Sequence, residues 1–225
     1  MAQIGSTALT YADWAKRMDD GYKVAAIIEL LSQTNEILDD MMVVEGNLPT
    51  GHKTTVRTGL PQATWRLLNA GVPNAKSTTA QIVDTVGNLE TYSVIDKDIA
   101  DLNGNTAEFR LSEAQAHLEG MNQTMAEAII YGDASINPER FNGLAIRYNT
   151  ISTGTSEVAK NVISGGGSGN CTSVWLVLWG KNTITGIFPK GSKAGLQHDN
   201  LGEYDAFDSS NNRYRAYGDR WQWKC

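Results

Sequence analysis

The stretch AEFRLSEAQAHLEGMNQTMAEAIIY at residues 107–131 decides the fold, because it is the clearest periodic pattern in the chain. Its apolar side chains recur at helical spacing, at Leu111, Ala114, Leu118, Met121, Met125, Ala128 and Ile129. This spacing puts them on one face of a helix about 37 Å long at ~1.5 Å per residue. Asn105, with Glu108 three residues later, resembles a capping box, and Gly132 suits the C-terminal end. The sequence therefore predicts one long amphipathic helix in the middle of the chain.

Two shorter patterns also favour helix. Residues 22–41 carry one apolar stripe, preceded by Gly21 and followed by Gly46, and they predict an amphipathic helix near the N-terminus. A small helical patch is expected at residues 65–68, between Gly59 and Gly71.

Four segments have the character of β-strands. Residues 53–58 and 79–95 alternate and predict a long two-stranded excursion, which is marginal in water unless it rests on a partner. Residues 173–179 (SVWLVLW) form an apolar run that predicts a buried central strand. Residues 213–224 alternate aromatic and polar side chains, which is typical of a half-buried strand. Because the chain stops at Cys225 in the middle of that pattern, we expect a return strand and the C-terminal part to be missing. The mixture indicates an α+β fold.

Charge is distributed in blocks along the 225 residues, whose formal net charge is −6. Residues 1–50 have eight acids and three bases, and residues 84–135 have ten acids and two bases. Between them, residues 51–83 contain four bases and no acid, and residues 136–225 have seven acids and ten bases. The acidic total argues against a protein whose main task is to grip nucleic acid, since such proteins cluster Lys and Arg to neutralise phosphates.

The acid-free segment allows two interpretations, which charge alone leaves open. It could be a basic surface loop that lies over acidic parts of its own domain. It could instead be an arm that docks on the acidic block of a neighbouring copy and gives assembly its register. The candidate contact residues are the bases Lys53, Arg57, Arg66 and Lys76 and the acids Glu108, Glu113 and Glu119.

The sequence predicts no catalytic residue, no cofactor and no metal. The two cysteines and three histidines lack metal-ligand spacing. A phosphate loop at Gly180-Lys181 fails, because Asn182 stands where Ser or Thr should bind magnesium. His198-Asp199 is interpreted as a solvated loop pair, and His117 as a packed side chain. No apolar run approaches the roughly 20 residues of a membrane span, and no secretory signal opens the chain, so a protein made in a cytoplasm is expected.

Two phrases carry a resemblance to a known family. One is Tyr131-Gly132-Asp133 followed by NPERFNGLAIRYN at residues 137–149. The other is FPKGSKAGLQHD at residues 188–199, with LGE at 201–203 behind it. Both resemble the major capsid proteins of tailed bacteriophages, a family with the Hong Kong 97-type capsid fold, and the similarity runs along the whole chain.

The resemblance implies a four-part architecture. Its parts would be an N-terminal arm (1–44), an extended β-loop (45–95), a peripheral domain with the long spine helix (96–138) and an axial domain (139–225). The acid-free segment then falls on the extended β-loop, which in such shells reaches over a neighbouring subunit. The spine helix becomes its expected landing surface, so the docking interpretation is favoured.

The expected function follows from the resemblance. The chain would be a structural protein, not an enzyme, whose copies form hexamers and pentamers and close into an icosahedral head around double-stranded DNA without sequence-specific binding. Further partners would be scaffolding, portal and decoration proteins, with no membrane; the location would be the virion, and the host cytoplasm during assembly. The alternatives are an encapsulin-type compartment and, from a different class, a phage-associated glycan-binding or hydrolase module.

Overall fold

The computed structural model describes residues 8–18, 36–151, 158–166, 169 and 172–225. The helices are α1 (Tyr11–Lys16), α2 (Ile37–Asp40), α3 (Lys97–Ala100), α4 (Thr106–Tyr131) and α5 (Leu144–Arg147), with 3₁₀ turns at Leu102–Gly104 and Ala159–Asn161. The strands are β1 (Val43–Glu45), β2 (Gly51–Gly59), β3 (Thr78–Thr85), β4 (Asn88–Asp96), β5 (Gly186–Phe188), β6 (Leu196–Phe207) and β7 (Arg213–Lys224). No helix among these residues is both long and apolar enough to cross a bilayer.

The chain divides into two compact units, each discontinuous in sequence. The first, called the sheet unit, comprises residues 1–39, 88–126 and 195–223. Its sheet has the order β4-β7-β6, and β6 and β7 form a long antiparallel pair. The buried core of this unit is Trp14, Ile95, Ile99, Ala100 and Phe109. Helices α1, α3 and the start of α4 therefore share one apolar cluster with strand β4.

The second unit, called the flap unit, comprises residues 40–87, 127–194 and 224–225. It holds the antiparallel hairpin β2–β3 and the short parallel pair β1–β5. Cys225 exchanges two backbone hydrogen bonds with Gly87, at 2.5 and 3.1 Å. Cys225 is buried, and this burial raises the pKa of its thiol.

Two glycines explain part of the phrase that follows the long helix. The N–H of Gly143 donates to the carbonyl of Gly132 at 2.8 Å, which brings the returning chain against the C-terminal end of α4. A Cβ on Gly143 would lie 2.7 Å from the carbonyl oxygen of Ala128, closer than carbon and oxygen normally approach. Glycine is therefore required at residue 143 by close backbone packing.

The predicted long helix is confirmed, and it begins one residue after Asn105. Its apolar face differs in the first turns from the expected stripe. Phe109 is 1% exposed and belongs to the core, whereas Leu111 is 61% exposed. The 3.6-residue period therefore gave the element correctly, but the sheet beside it selects which side chains are covered.

The predictions for residues 65–68 and 173–179 were wrong. Residues 60–77 contain no helix, and only a tight turn around Leu68 and Asn69 interrupts the open chain there. Residues 172–178 have no strand partner among the described residues, and Leu176 is fully exposed. A segment of high β-propensity becomes a strand only when a neighbour supplies hydrogen bonds, and no strand within the described ranges does so here.

The half-buried strand at 213–224 is confirmed as β7, and the expectation that it lacks a return partner does not hold, since β4 and β6 flank it. The helix predicted at 22–41 lies largely outside the described residues, of which only α2 falls in that range. Residues 195–223 belong to the sheet unit with the first part of α4, because β7 bonds to β4. The compact units thus cut across the boundary at residue 139, and the four-part division remains a prediction.

Candidate subunit-contact surface

The candidate surface starts with the flap, defined as residues 51–85. Its stem is the hairpin of β2 and β3, in which Lys53 pairs with Val83 and Arg57 with Thr79. The register shifts between Arg57 and Gly59, so an irregularity ends the regular ladder at the tip. Almost every residue of both strands is half-buried or exposed, as expected of a two-stranded ribbon without a core.

The stem has two different faces, because successive side chains in a strand point to opposite sides. His52, Val56 and Ile82 share one face, and they line a cleft of the flap unit. At the base of this face Asp84 forms an ion pair with Arg147. Lys53 and Arg57 lie on the opposite face, directed away from that cleft. The stem therefore keeps its cations on its outer side.

None of the four flap cations makes an ion pair with any described residue, and all four are exposed: Lys53, Arg57, Arg66 and Lys76. The sheet unit behaves differently. There Arg110 lies 2.8 Å from Asp219, and Arg220 lies 2.8 Å from Glu90. The described arginines of the sheet unit all form ion pairs within that unit, whereas the flap carries uncompensated positive charge.

The three acids predicted as the landing surface all lie on α4, but in different environments. Glu113 is already paired with Arg17. Glu108 is exposed, and Glu119 is half-buried and accepts a hydrogen bond of 2.9 Å from the side-chain amide of Gln123. Glu113 is thus already engaged by a cation of its own subunit, whereas Glu108 and Glu119 form no ion pair with a described residue.

Glu108 and Glu119 can act together because eleven residues are close to three full helical turns. They therefore share one face of α4 and stand about 16 Å apart along its axis. Lys53 and Arg57 share one face of β2 and stand about 13 Å apart. These separations match within the reach of Lys and Arg side chains, so one flap stem could contact both acids at once.

A second polar cluster in the sheet unit is structural in character. The rings of His117 and His198 each stack with the ring of Trp221, with centroid distances of 5.5 and 5.3 Å. His198 contacts the carboxylate of Asp219 at 3.0 Å and lies with Asp199 on β6, so the interpretation of these two residues as a solvated loop pair was wrong. The cause is the sheet register, which places Asp199 opposite Arg220. No group of three or more potential metal ligands occurs among the described residues.

The strongest electrostatic effect in the sheet unit concerns Glu90 on β4. A hydrogen bond from Arg220, assisted by one from Asn88, lowers the pKa of Glu90 to about 2. Arg220 also pairs with Asp199 at 3.2 Å and thereby links all three strands. This network ties the three strands together and neutralises the positive charge of Arg220 within the unit.

Sequence reasoning missed one feature of the flap, which is its apolar tip at residues 60–77. Trp65 is fully exposed, and Leu67 and Leu68 are 79% and 94% exposed. The available signal was a tryptophan between Pro61 and Pro73 in a segment with no other apolar element to cover it. The expectation of a small helix at this position concealed that signal.

Comparison with known proteins assigns the chain to a family. A family model for major capsid protein GP7 matches residues 19–225. The chain belongs to this family of capsid proteins. No curated protein matches it.

One solved structure agrees with the assignment. A chain from the near-atomic-resolution cryo-electron microscopy structure of bacteriophage epsilon15 is 36% identical, with a TM-score of 0.68, over 100% of this chain and 67% of that one. Weaker likeness extends to the capsid of a native GTA particle, at 11% identity and a TM-score of 0.47 over 98% and 95% of the two chains. The capsid of an empty GTA particle matches at 16% identity and a TM-score of 0.40 over 61% and 45%.

The family confirms the fold and function predicted from the sequence. The chain is a major capsid protein with a Hong Kong 97-like α+β fold, a structural subunit that assembles with itself into the shell of a phage head and is located in the virion. The assignment favours this function over an encapsulin-type compartment and over a glycan-binding or hydrolase module.

Proposed function

We propose that the flap of one capsid subunit docks on the acidic face of α4 in a neighbouring subunit. Lys53, Arg57, Arg66 and Lys76 would supply the positive side, and Glu108 and Glu119 the negative side. The observation that carries this proposal is the contrast between the unpaired flap cations and the paired arginines of the sheet unit.

The alternative, a basic loop neutralised by its own domain, has less support. The one acid of the flap, Asp84, is engaged by Arg147, and Glu127 of the same unit lies 3.6 Å from Arg140. Neither of these acids is left for the flap bases, and no other acid among the described residues of this unit forms an ion pair with one of them. A partner in another copy therefore satisfies the charge more simply.

Each contact is expected to be weak, because exposed ion pairs contribute about 0.2–1 kcal/mol. Four cations would add about 1–4 kcal/mol per flap at moderate salt. A shell repeats the contact in every subunit, so avidity makes a small free energy per contact sufficient to stabilise the whole shell. Weak individual contacts also let misplaced subunits dissociate before the shell closes.

The remaining parts of the proposal follow from the family and the charge. Subunits would form hexamers and pentamers around rotation axes and close into an icosahedral head around double-stranded DNA. A net charge of −6 suits an enclosure that does not hold DNA by sequence. Assembly would take place in the host cytoplasm with scaffolding, portal and decoration proteins as further partners. The subunit would act as a building block without enzymatic activity.

The test is a charge reversal with a matched control. The triple variant Lys53→Glu, Arg57→Glu and Arg66→Glu should fold normally and fail to form shells. The control reverses Lys16, Lys181 and Lys190, three exposed lysines outside the flap, and reaches the same net charge. If general repulsion were the cause, both variants would fail equally.

Restoration of complementarity makes the test sharper. Adding Glu108→Lys and Glu119→Lys to the flap triple variant should recover particles, whereas adding Glu113→Lys alone should not, because Arg17 occupies that acid. Electron microscopy and sedimentation would report the outcome. Normal particles from the flap triple variant would contradict the docking proposal.

A further inference from the structure

The tip of the flap exposes apolar area that nothing in its own hairpin covers. Between Leu60 and Val72, which are 73% and 51% exposed, lie the even more exposed Trp65, Leu67 and Leu68. Trp65 is 101% exposed relative to an isolated residue. Scattered single apolar residues are ordinary on a surface, but three large ones within four positions form a patch.

The backbone conformation of the loop keeps this apolar patch exposed to solvent. The N–H of Ala70 donates to the carbonyl of Leu67 at 3.2 Å, and Asn69 takes a left-handed conformation with φ of 66°. This tight turn holds Leu67 and Leu68 at the apex of the loop. A loop under no demand for recognition would place polar residues there, since loop tips face water.

We propose that Trp65, Leu67 and Leu68 form an apolar anchor that is buried against a second copy of this chain in the assembled shell. The inference deepens the proposed function, because it rests on the flap being the docking element. Interfaces commonly combine a few buried aromatic or aliphatic anchors with a polar rim. Here Arg66 and Lys76 would provide that rim.

Charge complementarity identifies the occupant as another copy. Residues 51–83 carry four bases and no acid, whereas the rest of the chain carries fifteen bases and twenty-five acids. The rest of every subunit thus carries a formal net charge of −10, and the family assembles with itself. The stem cations would steer and register the approach, while the tip would supply contact that salt does not screen.

The test measures the protein concentration at which purified full-length subunits begin to assemble, by light scattering at low and at high salt. Trp65→Ala should raise this concentration by about tenfold or more at both salt levels. Trp65→Phe should assemble at a concentration close to that of the wild type, because an aromatic anchor remains. The matched control is Ile163→Ala, which truncates another exposed apolar residue (92% exposed) and should leave assembly unchanged.

A second measurement identifies what the anchor touches. A photoreactive benzoylphenylalanine at position 65 should cross-link one subunit to another in particles and give no intersubunit product at concentrations below assembly. Cross-links to DNA in filled particles, or only within one chain, would overturn the proposal. Because residue 65 is fully exposed, circular dichroism of unassembled subunits should show that all these variants fold.

The two proposals fail in different ways. If the flap charge reversal blocks assembly while Trp65→Ala assembles like the wild type, the anchor is refuted and the electrostatic docking stands. If Trp65→Ala blocks assembly while the charge reversal has no effect, the anchor stands and the proposed role of the cations is refuted.

Discussion

Asp219 is the residue whose replacement should most clearly separate stability from assembly. Its carboxylate on β7 is 6% exposed and accepts hydrogen bonds from Arg110 at 3.2 Å (Nε) and 2.8 Å (Nη2). Its other oxygen contacts His198 at 3.0 Å. Asp219→Asn keeps the shape but removes the charge, and it turns an amide NH₂ toward donors that need an acceptor.

The expected loss of folding free energy in Asp219→Asn depends on how much of the Arg110–Asp219 pair is exposed to solvent. Removal of one partner from a buried ion pair typically costs about 3–5 kcal/mol. Arg110 is 20% exposed and keeps a 3.0 Å hydrogen bond to Asn200 and its position over the ring of Tyr217. We therefore expect a smaller loss of about 2–3 kcal/mol in the free energy of unfolding.

Urea unfolding of unassembled subunits, followed by tryptophan fluorescence, measures this loss. With a slope of roughly 2–3 kcal/mol per molar urea, the midpoint should fall by about 1 M. Combining Asp219→Asn with Arg110→Met should cost less than the sum of the two single changes, because the double variant leaves no unpaired guanidinium. A midpoint within about 0.2 M of the wild type, or strictly additive losses, would refute this account of the pair.

Three further predictions concern stability. Arg220 holds the pKa of Glu90 at about 2, below its usual 4.5, so the stabilisation of the folded state by this pair is complete above about pH 4.5 and disappears as pH falls towards 2. The urea midpoint should therefore fall less steeply across that pH range for Glu90→Gln than for the wild type. Parallel plots of midpoint against pH for the two proteins would contradict this role of Glu90. Phe109→Ala should cost about 3–5 kcal/mol and lower Tm by about 10 °C, while the exposed Leu111→Ala should change Tm by no more than about 2 °C; equal effects in calorimetry would mean that the helix faces the core differently. Gly143→Ala should destabilise by about 1–3 kcal/mol through backbone crowding, and an unchanged thermal midpoint would argue against close packing at the end of α4.

Local periodicity determined the elements whose pattern is long or distinct. The helix α4 and the strand β7 are confirmed because their side-chain repeats cover many residues, so one period dominates the choice of backbone conformation. The acid-free composition of the flap was equally visible in the sequence, because charge does not depend on folding. Short segments were different. Residues 65–68 favour helix and residues 173–179 favour strand by intrinsic propensity. A helix of one turn, however, does not recover the free-energy cost of nucleation, and a strand needs a neighbour for its hydrogen bonds.

Only the tertiary structure decided which side chains meet. Glu113 was predicted to be open to a partner, but Arg17, 96 residues away, occupies it. His198 pairs with Asp219 across two strands and not with the adjacent Asp199. The first pairing follows from the packing of α1 and α4 in one apolar core, and the second from the register of β6 and β7. Both depend on the simultaneous burial of distant segments. The sequence by itself showed the charges, the hydrophobic periodicity and the motifs that resemble the family. The three-dimensional arrangement determined which of those charges are paired within the subunit and which remain available for another subunit.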